Sequence, residues 1–390
     1  MEELRNSRTH LPKEKVHKVD GVNYSNVERN SPKSLNLRVY LLDNEFKTLT
    51  YDHSTRAVDL IDQMSKKMSI TNSENFGIFD VYTHNSRVEE KLLKDDDCIS
   101  DVIKKHKKDR KIVFKCKMFR ELNIINADEF STHLYYIQTK ENIISGYFNA
   151  PLHIAITLAA IEMQIEFGPF NPEKHKPGFI FPRIRDFFSE RLLEQHGSKY
   201  IEKRLLDEYK QGEPKALLFL KKTYTLEAMK LSVFGCRFFN ARQRRSRDIP
   251  ERIQLGVKSI GIIIISQETR EFLRQWSFET IFRWGYTSDA FYFQLRSLND
   301  GISGTIWELF TNEGETVSDL LNMYQKYILD DIDELHCNQI YMSSDLAIIK
   351  IQSCWRGYRL RKKLGSIKKL LAAQMIVKIW RDFRNNKSLL

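Results

Sequence analysis

The chain has 390 residues, 42% hydrophobic and 12% aromatic, and carries a formal net charge of +11. That length holds two or three folding units with real cores, and the composition excludes a wholly disordered or collagen-like chain. No apolar run approaches the roughly 18 residues that span a bilayer, and the N-terminal stretch MEELRNSRTHLPKEK lacks the apolar segment of a secretory signal. Five scattered cysteines without a CxxC pair fit a reducing cytosol rather than a disulfide framework or a zinc site.

Residues 1–34 are polar and without periodicity, and read as a flexible lead-in. From Leu35 two alternating segments, LNLRVYLL and FKTLTY, are split by Asp43-Asn44-Glu45, the pattern of a β-hairpin. Thr55 reads as the cap of a helix with Val58, Ile61, Met64 and Met68 on one face. FGIFDVYT is a strand, followed by a charged turn, a short helix ISDVIKK and a last strand KIVFKCKMF. Residues 35–119 thus spell a ubiquitin-like roll. Over 120–232 the period changes, and four segments read as helices of a bundle: HLYYIQTKENIISGYF, PLHIAITLAAIEMQIEF, IRDFFSERLLEQH and PKALLFLKKTYTLEAMKL.

Short strands return over 233–333: CRFFNAR, ERIQLGVK, GIIIIS, FLRQWSF, TIFRWGY, AFYFQL and TIWELFT. An amphipathic helix over about Glu315–Leu329 then closes a barrel of the pleckstrin-homology or phosphotyrosine-binding type, and LDDIDEL reads as an acidic connector. Residues 345–390 carry twelve Lys or Arg against two Asp, so almost the whole net charge lies in this last segment. Such a module calls for an acidic partner.

An α+β chain with a ubiquitin-like, a helical and a barrel lobe in this order resembles a FERM domain. IEMQIEFGPFNPEKHKPGFI is similar to the helical lobe of talins, and the sequence from Leu255 to Leu295 resembles the talin and myosin-tail FERM barrel strand for strand. The resemblance implies an acyl-CoA-binding-like helical lobe and a peptide site on the fifth barrel strand. There Trp284 receives an apolar peptide residue, Arg283 anchors peptide backbone, and Tyr286 lies alongside. It implies NPxY-like cytoplasmic tails as partners; the residues alone equally allow Trp284 to be core. Four arginines in the loop after CRFFNAR (Arg242, Arg244, Arg245, Arg247) stand where talin-like barrels touch acidic phospholipid. Lys174 and Lys176 extend the patch, with His175, Arg183 and Arg185 nearby; an ordinary solvated loop is the alternative.

Ile351-Gln352-x-x-x-Arg356-Gly357-x-x-x-Arg361 is the full IQ pattern, and Ile376 to Arg381 begin a degenerate second copy. As a helix, Ile348, Ile351, Trp355 and Tyr358 form one apolar stripe inside a basic surface. Like charges gain little alone, whereas an acidic calmodulin-like lobe supplies groove and counter-charge. Gln352 then bonds backbone in that groove, Gly357 permits close approach, and Arg356 and Arg361 meet carboxylates, with Ile376 and Arg381 adding the second copy's contacts. A membrane surface or nucleic acid competes for the same charges, but the IQ spacing favours calmodulin or a calmodulin-like light chain over nucleic acid. No phosphate loop, HExxH or GxSxG is present, so neither an enzyme nor a cofactor is expected. The reading is a cytoplasmic adaptor linking partners to the cytoskeleton, actin or microtubule, at the membrane periphery. Its alternative is a packing component of a ciliary or microtubule assembly bound to tubulin or a centrin.

Overall fold

The computed structural model describes residues 34–84, 87–105, 110–296 and 304–337. Strands β1 (Leu35–Tyr40) and β2 (Phe46–Tyr51) pair antiparallel around a turn in which Asn44 takes a left-handed φ of 66°. Helix α1 (Ala57–Met68) follows, then β3 (Phe76–His84), β4 (Arg87–Leu92), α2 (Ile99–Lys105) and β5 (Arg110–Cys116). The sheet order β2-β1-β5-β3-β4, with β1 and β5 parallel, is the ubiquitin-like roll. Three local expectations are corrected. The charged turn after β3 is a strand, β4, because Val88, Glu89, Glu90 and Lys91 pair along β3 with their polar side chains on a solvated edge. The α1 cap is Arg56, since Thr55 bonds back to Asp52. Val58 is exposed, and Ala57 and Leu60 join Ile61, Met64 and Met68 in the core instead.

The helical lobe comprises α3 (Glu121–Ile125), α4 (Glu129–Ile144), α5 (Leu152–Phe167), α6 (Glu190–His196), α7 (Ser198–Gln211) and α8 (Leu217–Ala228). Helices α3 and α7 are additions to the four read from sequence, although Ile201, Leu205, Leu206 and Tyr209 are the buried stripe of α7. Buried Glu162 ties α5 to α4, accepting from Tyr136 at 2.6 Å and pairing with Lys140 at 2.7 Å. The seam with the first lobe is polar as well as apolar. Gln138 on α4 pairs with both backbone groups of Cys116 at the end of β5, at 2.8 and 2.9 Å.

The third lobe is a seven-stranded sheet: β6 (Arg237–Arg242), β7 (Arg252–Lys258), β8 (Gly261–Ser266), β9 (Phe272–Ser277), β10 (Ile281–Tyr286), β11 (Ala290–Leu295) and β12 (Ile306–Phe310). All seven match the segments named from alternation. Their order, β10-β11-β12-β6-β7-β8-β9, leaves β10 and β9 at the edges. Gly261 turns β7 into β8 at φ 138°, where a Cβ would lie 2.2 Å from the Trp276 carbonyl oxygen. Helix α9 (Gly314–Cys337) lays Val317, Leu320, Leu321 and Tyr324 on the barrel core. It runs through the acidic stretch read as a connector, continuing as a helix a segment whose first turns are already docked by their apolar residues.

Cys98, Cys116 and Cys236 are free, and no helix among the described residues is long and apolar enough to cross a membrane.

Candidate functional site

Among the described residues strand β10 pairs with β11 alone, so its outer backbone edge is open there. The pairing slips by one residue at Phe282: Ile281 faces Leu295, then Arg283 faces Gln294, Trp284 faces Phe293 and Tyr286 faces Phe291. Phe291 and Phe293 are core residues, so Trp284 and Tyr286 share their side of the sheet, while Arg283 and Gly285 share the other. The bulge lifts Phe282 out, 47% exposed. Half-buried Trp284 packs on the barrel core with its ring 6.2 Å from that of Phe278. Arg283 is exposed; its Nε donates to Gln294 Oε1 at 2.6 Å, and its guanidinium lies 6.0 Å from the Phe282 ring. Tyr286 closes the strand against the start of α9, so closely that a Cβ on Gly314 would lie 2.9 Å from its own.

The first lobe reaches the same end. Lys94 pairs with Glu315 at 2.7 Å and approaches Asp319 at 3.9 Å, both in the first turns of α9. Burial and then these two carboxylates push the Tyr286 phenol above its ordinary value. Arg283, Trp284, Tyr286 and Phe282 therefore lie on one open strand beside one helix, a geometry that accepts an extended peptide as an added strand. Phe282 and Lys94 were not among the expected site residues. The bulge leaves no mark in the sequence, and Lys94 is distant along the chain.

Of the expected basic residues, Arg242 and Arg244 share a cleft of about 640 Å³ at one end of the barrel with Arg252, Asn240, Gln267 and Thr311. Arg244 sits over the Phe310 ring at 5.4 Å. Arg245 turns away to the Ile306 carbonyl, and Arg247 is exposed. Arg252, unanticipated, opens β7 directly opposite Arg242. Lys174 and Lys176 are exposed on a loop of the helical lobe, outside that cleft. Arg183 is paired with Glu166 and Asp186, and Arg185 with Glu190, so neither is a free cation.

His175, in the same loop, does not face solvent. It packs among Phe167, Phe170, Phe179 and Tyr209, and its Nδ1 accepts from the Asn171 amide at 2.9 Å. Buried Glu202 fixes the other end, accepting from the Gly178 and Ile180 amides at 3.0 and 3.1 Å. Burial, with Lys174 beside it, lowers the His175 pKa below the ordinary imidazole value. The folded state thus binds fewer protons at this site than the unfolded chain, and its contribution to stability is lost as pH falls below about 6.5. We expect His175→Gln to melt with a smaller difference between pH 7.5 and 5.5 than the parent; an unchanged difference by calorimetry contradicts this.

The calmodulin-binding positions Ile351, Gln352, Trp355, Arg356, Gly357, Arg361, Ile376 and Arg381 lie outside the described residues. Among the described residues no three His, Cys, Asp or Glu side chains gather as a metal site.

Comparison with known proteins follows these divisions. Residues 33–119 match the RA-like domain family, 124–239 the FERM central domain, 239–329 the PTB domain of IRS-1 type, and 346–365 the IQ calmodulin-binding motif. Chicken (Gallus gallus) Talin-1 is 23% identical over 325 residues, covering 75% of this chain and 12% of its own length. Talin-B of Dictyostelium discoideum is 25% identical over 302 residues, covering 75% of this chain and 11% of its own. The chain therefore spans about an eighth of these relatives. The fold is similar to the human Myosin 7b C-terminal MyTH4-FERM domain, solved with the harmonin-a PDZ3 domain (TM-score 0.59, 20% identity, 76% of this chain and 60% of that one). It is also similar to the FERM and C-terminal domain complex of Drosophila Merlin (TM-score 0.62, 19% identity, 77% and 99%). The chain thus carries a FERM central domain between an RA-like and a PTB-like domain, with an IQ motif beyond them, similar in sequence to talins and in fold to a MyTH4-FERM domain.

Proposed function

We propose that the protein is a non-enzymatic scaffold of the cytoplasmic membrane periphery and cytoskeleton. Its third lobe docks NPxY-like cytoplasmic peptide tails along β10, and its C-terminal segment recruits calmodulin or a calmodulin-like light chain. The observation that carries this reading is the open edge of β10 beside α9, with Trp284 half-buried and Arg283 exposed on it. Peptide backbone adds to the free amides and carbonyls, while the ring and guanidinium select what lies on either face. The arginine cleft at the end of the barrel supports a contact with acidic phospholipid, each basic residue adding about 1 kcal/mol at an anionic surface. The IQ match at 346–365 supports the light-chain partner.

Titrating an NPxY-like peptide into the full chain tests the groove. Hydrogen exchange should slow at the amides of β10 and leave β9, the opposite edge, unchanged. Trp284→Ala should weaken the peptide by ten-fold or more, as an aromatic anchor does. Protection of β9 instead of β10, or full affinity in Trp284→Ala, overturns the assignment.

A further inference from the structure

We propose that Ser246 is a phosphorylation site whose modification releases the third lobe from anionic membrane; this rests on reading the β6–β7 loop as the membrane contact. The loop is wound around one buried amide. Gln243 Nε2 donates to the carbonyls of Ser246 at 2.8 Å, Ile249 at 2.5 Å and Pro250 at 3.2 Å, and its Oε1 accepts from the Ser246 amide at 2.9 Å. That winding leaves Arg242, Arg244, Arg245 and Arg247 exposed, Arg245 donating to the Ile306 carbonyl, with Ser246 half-buried among them.

The serine is held by its backbone alone. Its Oγ makes no hydrogen bond among the described residues, so the fold does not need the hydroxyl. Arginines stand one, two and four residues before it and one after. A kinase with an acidic substrate groove selects such a serine by charge. In the transfer, Ser246 Oγ bonds to the γ-phosphorus of ATP as the bond to the β,γ-bridging oxygen breaks. ADP leaves, and the hydroxyl proton passes to the kinase's base.

The electrostatic consequence follows from position. Five arginines (Arg242, Arg244, Arg245, Arg247, Arg252) oppose Asp248, Glu251 and Asp289, the last in the same cleft, leaving the region at +2. A phosphate of about −2 brings this to about zero, and its oxygens draw the neighbouring guanidiniums into charge-assisted hydrogen bonds at the loop itself. Both effects act against a surface that needs those guanidiniums free. The expected loss of affinity for anionic vesicles is on the order of 30-fold at low salt, shrinking as salt screens the remaining attraction.

The test treats the full chain with an arginine-directed Ser/Thr kinase and ATP. Mass spectrometry locates the phosphate, and co-sedimentation with phosphatidylcholine–phosphatidylserine vesicles reads affinity before and after. We expect phosphate on Ser246, the loss stated above, and full vesicle binding by kinase-treated Ser246→Ala. A kinase that labels other serines but leaves Ser246 unmodified overturns the proposal. So does phosphate on Ser246 with unchanged vesicle affinity while Arg244→Glu/Arg245→Glu weakens it, an outcome that leaves the membrane reading standing. If the double arginine variant also binds vesicles normally, the membrane reading itself fails, and the switch with it.

Discussion

Gln138→Ala is expected to destabilise the protein by about 3 kcal/mol, the largest single-residue effect on the fold among the substitutions considered. Gln138 occupies the place of a neighbouring strand at the end of β5, matching the Cys116 N–H and carbonyl with its own carbonyl and amide. Both Cys116 and Gln138 are buried, so truncation strands two backbone groups away from water. Each costs roughly 1–3 kcal/mol unless a water enters the space left behind. Glu141→Ala, on the exposed face of the same helix, is the control and should change stability by less than about 0.5 kcal/mol. Urea titration followed by fluorescence measures both. Equal midpoints for the two variants would show that the first seam is held by its apolar contacts alone.

The second large effect lies in the C-terminal segment. Replacing Ile351 and Trp355 together by Asp should reduce calmodulin affinity at least 100-fold, with no change in the melting of the three lobes. Two apolar side chains that an acidic groove would cover are lost, each worth about 2 kcal/mol or more when an aromatic or aliphatic hot spot is removed. Two negative charges are also introduced opposite an acidic partner. Gln352→Ala with Arg356→Ala should weaken binding more than Lys368→Ala with Lys369→Ala, because only the first pair occupies IQ positions. Isothermal titration reads all three variants. Equal losses for the two alanine pairs would mean that bulk positive charge, rather than the motif, carries the interaction.

Much of the architecture was legible from period alone. The hairpin at Asp43-Asn44-Glu45, the seven barrel strands and the closing helix follow from alternation giving way to a 3.6-residue repeat. What escaped had physical causes. Strand β4 reads as a charged turn because only Val88 and Leu92 are apolar and Val88 is itself exposed. Helix α7 is strongly polar outside its buried stripe. The C-terminal extension of α9 is acidic, which mimics a linker. At the candidate site, Arg283, Trp284 and Tyr286 could be named because they adjoin one another on a single strand. Lys94 and Arg252 could not, because folding alone brings them to Glu315 and to Arg242. His175 sits in a run of lysines and reads as part of a basic surface, yet four aromatic rings enclose it. Charge counted along a sequence does not distinguish a solvated cation from a ring folded inward.

The scaffold reading turns on whether the chain engages an electronegative helical partner through its basic end while its lobes stay folded. Titrating the full-length protein with calmodulin, in calcium and in chelator, measures this directly. Saturable binding in at least one of the two states, lost in the Ile351→Asp/Trp355→Asp variant, is the expected result; no heat and no co-elution in either state contradicts the account.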